Sequence, residues 1–165
     1  MEKQLKQSIT TLILAGGQSS RMGRDKALIL VENQPLLRKI CLIVQEFCPQ
    51  PYVVTPWGEK YQAILPPGCQ IIPEVPFKSQ KLFHGPLIGF YQGMTQVNTE
   101  WVLLLACDLP RLTSREIQSA IAKLETVAPD AIAFLPRHPQ GWEPLCGFYR
   151  QSCLKSLTTF INEGG

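Results

Sequence analysis

The apolar run Ile9-Thr10-Thr11-Leu12-Ile13-Leu14 passes directly into Ala15-Gly16-Gly17-Gln18-Ser19-Ser20-Arg21-Met22-Gly23-Arg24-Asp25-Lys26. So short an apolar run reads as a strand covered on both faces, the kind found at the centre of a parallel sheet. It empties into a glycine-rich loop that carries two candidate phosphate-binding cations, Arg21 and Lys26. Glycines let the backbone approach a ligand closely and take conformations closed to other residues. Free N–H groups on such a loop, joined by Arg and Lys, form a receptor for phosphate oxygens. The loop is not the common P-loop, because Gly23 is followed by Arg24 rather than by Lys and Ser or Thr. It also lacks the G-x-G-x-x-G spacing of dinucleotide folds.

Downstream, strand-like and helix-like stretches alternate, which predicts βα units on a mostly parallel sheet. Pro35 is placed to open a helix whose apolar face is Leu36, Leu37, Ile40, Cys41, Val44 and Phe47. Further strands are predicted at Tyr52–Thr55, Gln70–Ile72, Trp101–Ala106, Ala131–Leu135 and Leu145–Tyr149. Helices are predicted at Tyr61–Leu65, between Gly85 and Gln96 with Leu87, Tyr91 and Met94 on one side, and at Cys153–Ile161. Thr113-x-x-Glu116 has the form of a capping box for a helix bearing Ile117, Ala120, Ile121 and Leu124. Pro73–His84 shows little periodicity and reads as a loop. The expected architecture is α/β, a Rossmann-like three-layer α/β/α sandwich forming one domain over 1–165.

Composition narrows the function classes. With 45% hydrophobic and 18% charged residues the chain can bury a substantial core. A net charge of +3 and a pI near 8.6 are too mildly basic to argue for nucleic acid. No stretch approaches the roughly 20 apolar residues of a membrane span, and the polar start Met1 to Ser8 is not a secretory signal. A cytoplasmic location is expected. The six cysteines form no C-x-x-C pair and sit mostly in apolar runs, so reduced thiols are expected rather than disulfides or zinc.

In open α/β sheets ligands bind at the carboxyl ends of the strands. The strand Trp101–Ala106 ends in Cys107-Asp108-Leu109-Pro110. Asp108 there either caps the following turn or holds Mg²⁺ against a triphosphate, since magnesium takes one or two carboxylates with phosphate oxygens and water. The glycine loop favours the metal reading. Lys26 is either a solvated loop lysine or a point charge on phosphate, and Arg21 is suited to bidentate contact. Asp25 holds the loop or orients Lys26, and Arg24 faces solvent. His84-Gly85-Pro86-Leu87-Ile88-Gly89 could present backbone N–H groups at a helix start, or simply form a tight turn. Glu143 to Tyr149 could line an acceptor pocket or be an ordinary strand.

Four blocks together resemble the molybdenum cofactor guanylyltransferases, nucleotidyltransferases of the nucleotide-diphospho-sugar-transferase fold. They are Gly16-Gly17 through Lys26, Gly85-Pro86-Leu87 with Gly89, Cys107-Asp108-Leu109-Pro110, and Pro144-Leu145 with Tyr149. The resemblance implies transfer of GMP from GTP to molybdopterin or molybdenum-molybdopterin, with Mg²⁺ present and pyrophosphate released. It implies nucleotide contacts at Leu14, Ala15, Gly16, Gly17, Lys26, Glu74 and Asp108, catalytic roles for Arg21, Lys26 and Asp108, and Asp108 as metal ligand. Transient contact with cofactor-donating or molybdoenzyme-maturation proteins is a further implication. Related cytidylyltransferases read Leu-Ala-Ala-Gly where this chain reads Leu14-Ala15-Gly16-Gly17, and the second glycine leaves room for a purine. Thr55 stands where guanine-binding relatives can carry Asn, and Glu74 stands where Asp is usual. Family members usually continue for a few dozen residues past the position of Gly165, through an Asn-x-Asn-Thr-Pro-like segment, so a C-terminal tail is expected to be lacking. Alternatives are a cytidylyltransferase for the same cofactor, a sugar-1-phosphate nucleotidyltransferase, a nucleotide-binding adaptor in molybdoenzyme maturation, and an α/β domain whose loop is a plain strand–helix turn.

Overall fold

A computed structural model describes residues 9–17, 24–76 and 85–163. The chain order is β1 (Ile9–Leu14), a hairpin of β2 (Leu30–Val31) and β3 (Gln34–Pro35), α1 (Leu36–Gln45), β4 (Tyr52–Thr55), α2 (Gly58–Gln62) and β5 (Gln70–Pro73). It continues through α3 (Pro86–Met94), β6 (Trp101–Ala106), α4 (Ser114–Lys123), β7 (Ala133–Phe134), a second hairpin of β8 (Arg137–His138) and β9 (Gly141–Trp142), β10 (Cys146–Arg150) and α5 (Cys153–Asn162). A 3-10 turn at Lys26–Leu28 follows the glycine loop.

Six strands form one sheet in the order β5-β4-β1-β6-β10-β7. β1, β4, β5 and β6 are parallel, and β10 runs antiparallel to both β6 and β7. All six residues of β1 are buried, because alternate side chains enter two separate cores. Ile13, Val53, Leu103 and Leu105 pack with Leu37, Ile40 and Val44 of α1 and with Ile117 and Ile121 of α4. Leu12, Leu14, Val54 and Leu104 pack with Phe90 and Met94 of α3 and with Cys153 of α5. The expected three layers are present. Fully burying one such aliphatic side chain is worth about 1.5–3 kcal/mol. Differences in β-propensity span only about 1 kcal/mol, so burial decides which runs become central strands.

The register brings the functional edge together. Leu14 pairs with Val54 on one side and with Ala106 on the other, so the loops leaving β1, β4 and β6 emerge side by side. Strand order reverses at β1, which makes this edge the topological switch point. α3 lies close to the sheet because Gly93 has no side chain. A Cβ there would lie 2.8 Å from Leu12 Cδ1 and 3.1 Å from Val54 Cγ2.

Several boundaries differ from the sequence expectation. The short helix covers Gly58–Gln62 rather than Tyr61–Leu65, with Trp57 as its N-cap and fully buried Tyr61 near its end. α3 buries Ile88, Gly89, Phe90, Gly93 and Met94, whereas Leu87 and Tyr91 are only partly covered. The fifth strand shrinks to Ala133–Phe134, since only two of its residues pair with β10. The two hairpins carry no Asn-Gly or Asp-Gly signal. In the first, Glu32 and Asn33 adopt φ of 53° and 64°, the left-handed pair that a tight two-residue turn demands. The capping box is present, with Thr113 and Glu116 bonding reciprocally. All six cysteines are free thiols. No helix among the described residues is long and apolar enough to cross a membrane.

Candidate active site

A cavity of about 190 Å³ opens at the carboxyl edge of the sheet. Leu14, Ala15, Gly16 and Gly17 line it from the end of β1, Glu74 from the end of β5, and Asp108 from the end of β6. Gly85 and Pro86, at the start of α3, form another wall. Lys26 joins them although 82 residues separate it from Asp108. Seven of the eight site residues expected from sequence therefore share one cavity. Arg21, like His84, lies outside the described residues.

The Lys26 Nζ donates to Asp108 Oδ2 at 3.0 Å, and both side chains are partly open to solvent. This bond, with the attraction of the carboxylate, holds the Lys26 ammonium above the ordinary lysine value. Asp25 fixes the backbone beneath Lys26. Its carboxylate caps the 3-10 turn by accepting from the Ala27 N–H at 3.0 Å. It also accepts from the Tyr61 hydroxyl at 2.8 Å and forms an ion pair with Lys60. Partial burial pushes the Asp25 carboxyl up, but these partners outweigh it and the net position is below the ordinary value. Asp25 thus holds the loop. Tyr61 and Lys60 gave no sequence signal for this role, because their partner Asp25 lies far away in the chain, 36 residues before Tyr61.

The β1 exit is tied down at Ala15. Its N–H donates to Val54 O at 2.9 Å, and its carbonyl accepts from the Thr55 hydroxyl at 2.9 Å. Thr55 Oγ1 in turn accepts from the Trp57 N–H at 3.1 Å. Thr55 is fully buried and its hydroxyl is committed to the loop, which is a scaffolding role rather than ligand contact. Cys107 is held as the neutral thiol. Burial, followed by the nearby Asp108 and Asp25, pushes its thiol up to about 12.

Glu74 projects between two glycines. A Cβ on Gly16 would overlap Glu74 Oε2, and one on Gly89 would lie 3.2 Å from the same oxygen. Burial raises the Glu74 carboxyl, and no donor among the described residues pairs with it. A half-buried acceptor that meets no donor among the described residues suits a ligand bearing N–H groups.

No cluster of three metal-binding side chains exists among the described residues. The donor chemistry fits Mg²⁺ none the less, since that ion is held by one or two carboxylates and completed by phosphate and water. Asp108 is the carboxylate on the rim. It also lines a second, larger groove of about 880 Å³ between α4 and β10, with Arg111, Arg115, Phe134 and Phe148.

A parallel switch-point crevice with a glycine loop, a lysine and a rim carboxylate is the arrangement that suits a nucleotidyltransferase, and the fold is that of the nucleotide-diphospho-sugar transferases. Residues 11–165 match the MobA-like NTP transferase domain, and the chain belongs to that family. A protein of Nostoc sp. described as "probable molybdenum cofactor guanylyltransferase" is 52% identical over 158 residues, covering 96% of this chain and 73% of that protein. Molybdopterin-guanine dinucleotide biosynthesis protein A from Archaeoglobus fulgidus superposes with a TM-score of 0.72 at 18% identity, over 94% of this chain and 74% of its own. CMP:2-keto-3-deoxy-manno-octonic acid synthetase, solved with CTP, superposes at 0.70 and 13% identity, over 92% of this chain and 78% of its own. At those identities the two structures speak for the fold alone.

Proposed function

We propose that residues 1–165 act as one nucleotidyltransferase domain that transfers GMP from GTP to the terminal phosphate of molybdopterin or its molybdenum form. An oxygen of that phosphate attacks the α-phosphorus of GTP, the bond from the α-phosphorus to the bridging oxygen breaks, and pyrophosphate leaves. The observation that carries the reading is the convergence of Lys26 and Asp108 at 3.0 Å beside the Gly16-Gly17 loop. Phosphoryl transfer asks mainly for positioning and charge stabilisation, which a glycine loop, a lysine and a rim carboxylate are suited to supply.

In this reading the glycine loop presents backbone to the nucleotide, and Arg21 and Lys26 neutralise the triphosphate. Asp108 would hold Mg²⁺, which would supply further neutralisation of the phosphates. Glu74 accepts from the guanine N1 and N2 donors. The 880 Å³ groove shares Asp108 with the nucleotide cavity and takes the acceptor, with Arg111 and Arg115 near its phosphate and Phe134 and Phe148 near its ring system. Its size is in the range of small-molecule sites, about 300–1,000 Å³. Transient docking of proteins that deliver or collect the cofactor is part of the same proposal.

Thermal unfolding with GTP, CTP, ATP or UTP, each with Mg²⁺, tests it. At a hundredfold excess over Kd, a ligand adds about 2.7 kcal/mol. For a chain of this size that is a rise of about 5–10 °C. Mg-GTP should produce that rise selectively, and Asp108→Ala should remove the metal-dependent part. A response to CTP alone would assign cytidylyl transfer, and no response to any nucleotide would refute the reading.

A further inference from the structure

Beyond β5 the chain reads Pro73-Glu74-Val75-Pro76, at the outer edge of the sheet. The Glu74 N–H still donates to Thr55 O at 2.9 Å, as the last bond of the ladder to β4. Past that point the neighbouring strand offers nothing, yet Val75 is held at both of its backbone polar groups by a single side chain. Its N–H donates to Gln92 Oε1 at 2.9 Å, and its carbonyl accepts from Gln92 Nε2 at 2.8 Å. The Gln92 amide thus stands in for one residue of a partner strand. Pro76 adds to the restraint, because a residue before proline is confined to extended conformations. Gln92 sits on α3 one turn after Gly89, so the helix that walls the Glu74 carboxylate also grips the next residue's backbone.

We propose that Gln92 is a positioning residue for base recognition, setting the reach of Glu74 through the backbone of Val75. This rests on Glu74 reading the guanine edge. A glutamate carries one more methylene than an aspartate, and its carboxylate has correspondingly more freedom. The slot between Gly16 and Gly89 limits that freedom at the tip, and the Gln92 clamp limits it at the root. Neither constraint is visible from Glu74 alone.

The test compares binding of Mg-GTP and Mg-ITP, which lacks the 2-amino donor, by calorimetry on wild type, Glu74→Met, Gln92→Met and Gln92→Glu. Wild type should prefer GTP by about tenfold or more, the effect of one charge-assisted hydrogen bond. Gln92→Met keeps the side-chain length but loses both bonds to Val75, and should shrink that preference severalfold while ITP affinity changes little. Gln92→Glu keeps only the bond from the Val75 N–H and should fall between. A merely structural role would weaken GTP and ITP equally and leave their ratio intact. If Glu74→Met abolishes the preference but both Gln92 variants retain it, the positioning role is overturned and the base-reading role stands. If Glu74→Met leaves the preference intact, both fall.

Discussion

Gly16→Ala probes whether Glu74 occupies the slot that the structure gives it. An added Cβ would overlap Glu74 Oε2 and lie 3.2 Å from Glu74 Cδ and 3.4 Å from Pro56 Cδ. The overlapping atom ends a flexible side chain, so the carboxylate is displaced, at an off-rotamer cost of about 0.5–1.5 kcal/mol. Gly16 is not among the glycines with positive φ, so alanine fits its backbone. The unfolded chain then loses freedom, which stabilises the variant by about 0.4–1 kcal/mol. The two effects nearly cancel, and the melting temperature should move by less than about 4 °C. Nucleotide binding has no such compensation. Losing charge-assisted bonds to guanine costs about 1.5–3 kcal/mol, or about 10–150-fold in GTP affinity. In a Glu74→Ala background the overlap is gone, so Gly16→Ala should be neutral or stabilising by up to about 1 kcal/mol. Thermal unfolding and GTP titration of the four proteins complete the cycle. Equal effects of Gly16→Ala in both backgrounds would refute the contact.

Gly93→Ala should behave differently, because its Cβ meets Leu12 and Val54 in a closed core; overpacking of about 1–3 kcal/mol should lower the melting temperature by about 2–12 °C. Lys26→Ala should weaken GTP far more than guanosine, while stability changes little because the Lys26–Asp108 pair is open to solvent; equal losses for both ligands in titration would exclude a phosphate contact. Asp25 carries a pH signature. Its folded-state pKa lies below the ordinary 3.8, so the stability that it contributes is present above pH 3.8 and is lost as the pH falls through the folded value. Urea unfolding of Asp25→Asn should show lower stability than wild type at pH 7 and a gap that narrows in acid. Glu74 has the opposite sign, since burial raises it. Its destabilising contribution grows as the pH rises from about 4.5 through the folded value, and Glu74→Gln should abolish that part of the pH profile.

Much of this protein is legible in its linear order. Ile9–Leu14 and Trp101–Ala106 are uninterrupted enough that burial on both faces admits few alternatives, and the structure begins and ends them where the sequence does. Loops at the carboxyl ends of such strands then place Gly16, Gly17 and Asp108 on one edge. Local signals also carried the capping box at Thr113 and the apolar face of α1. The first hairpin was not legible, because positive φ at Glu32 and Asn33 is imposed by pairing rather than advertised by glycine. The buried face of α3 was misjudged for a related reason. Gly89 and Gly93 face inward to admit a carboxylate and a close-packed sheet, and apolar periodicity takes no account of glycine. What only the tertiary structure decided is how the site is held. The Tyr61–Asp25 bond, the Thr55 tie to Ala15 and the Gln92 clamp on Val75 join residues 17 to 40 positions apart. Their specificity lies in distances and directions that exist only once the sheet and helices have packed.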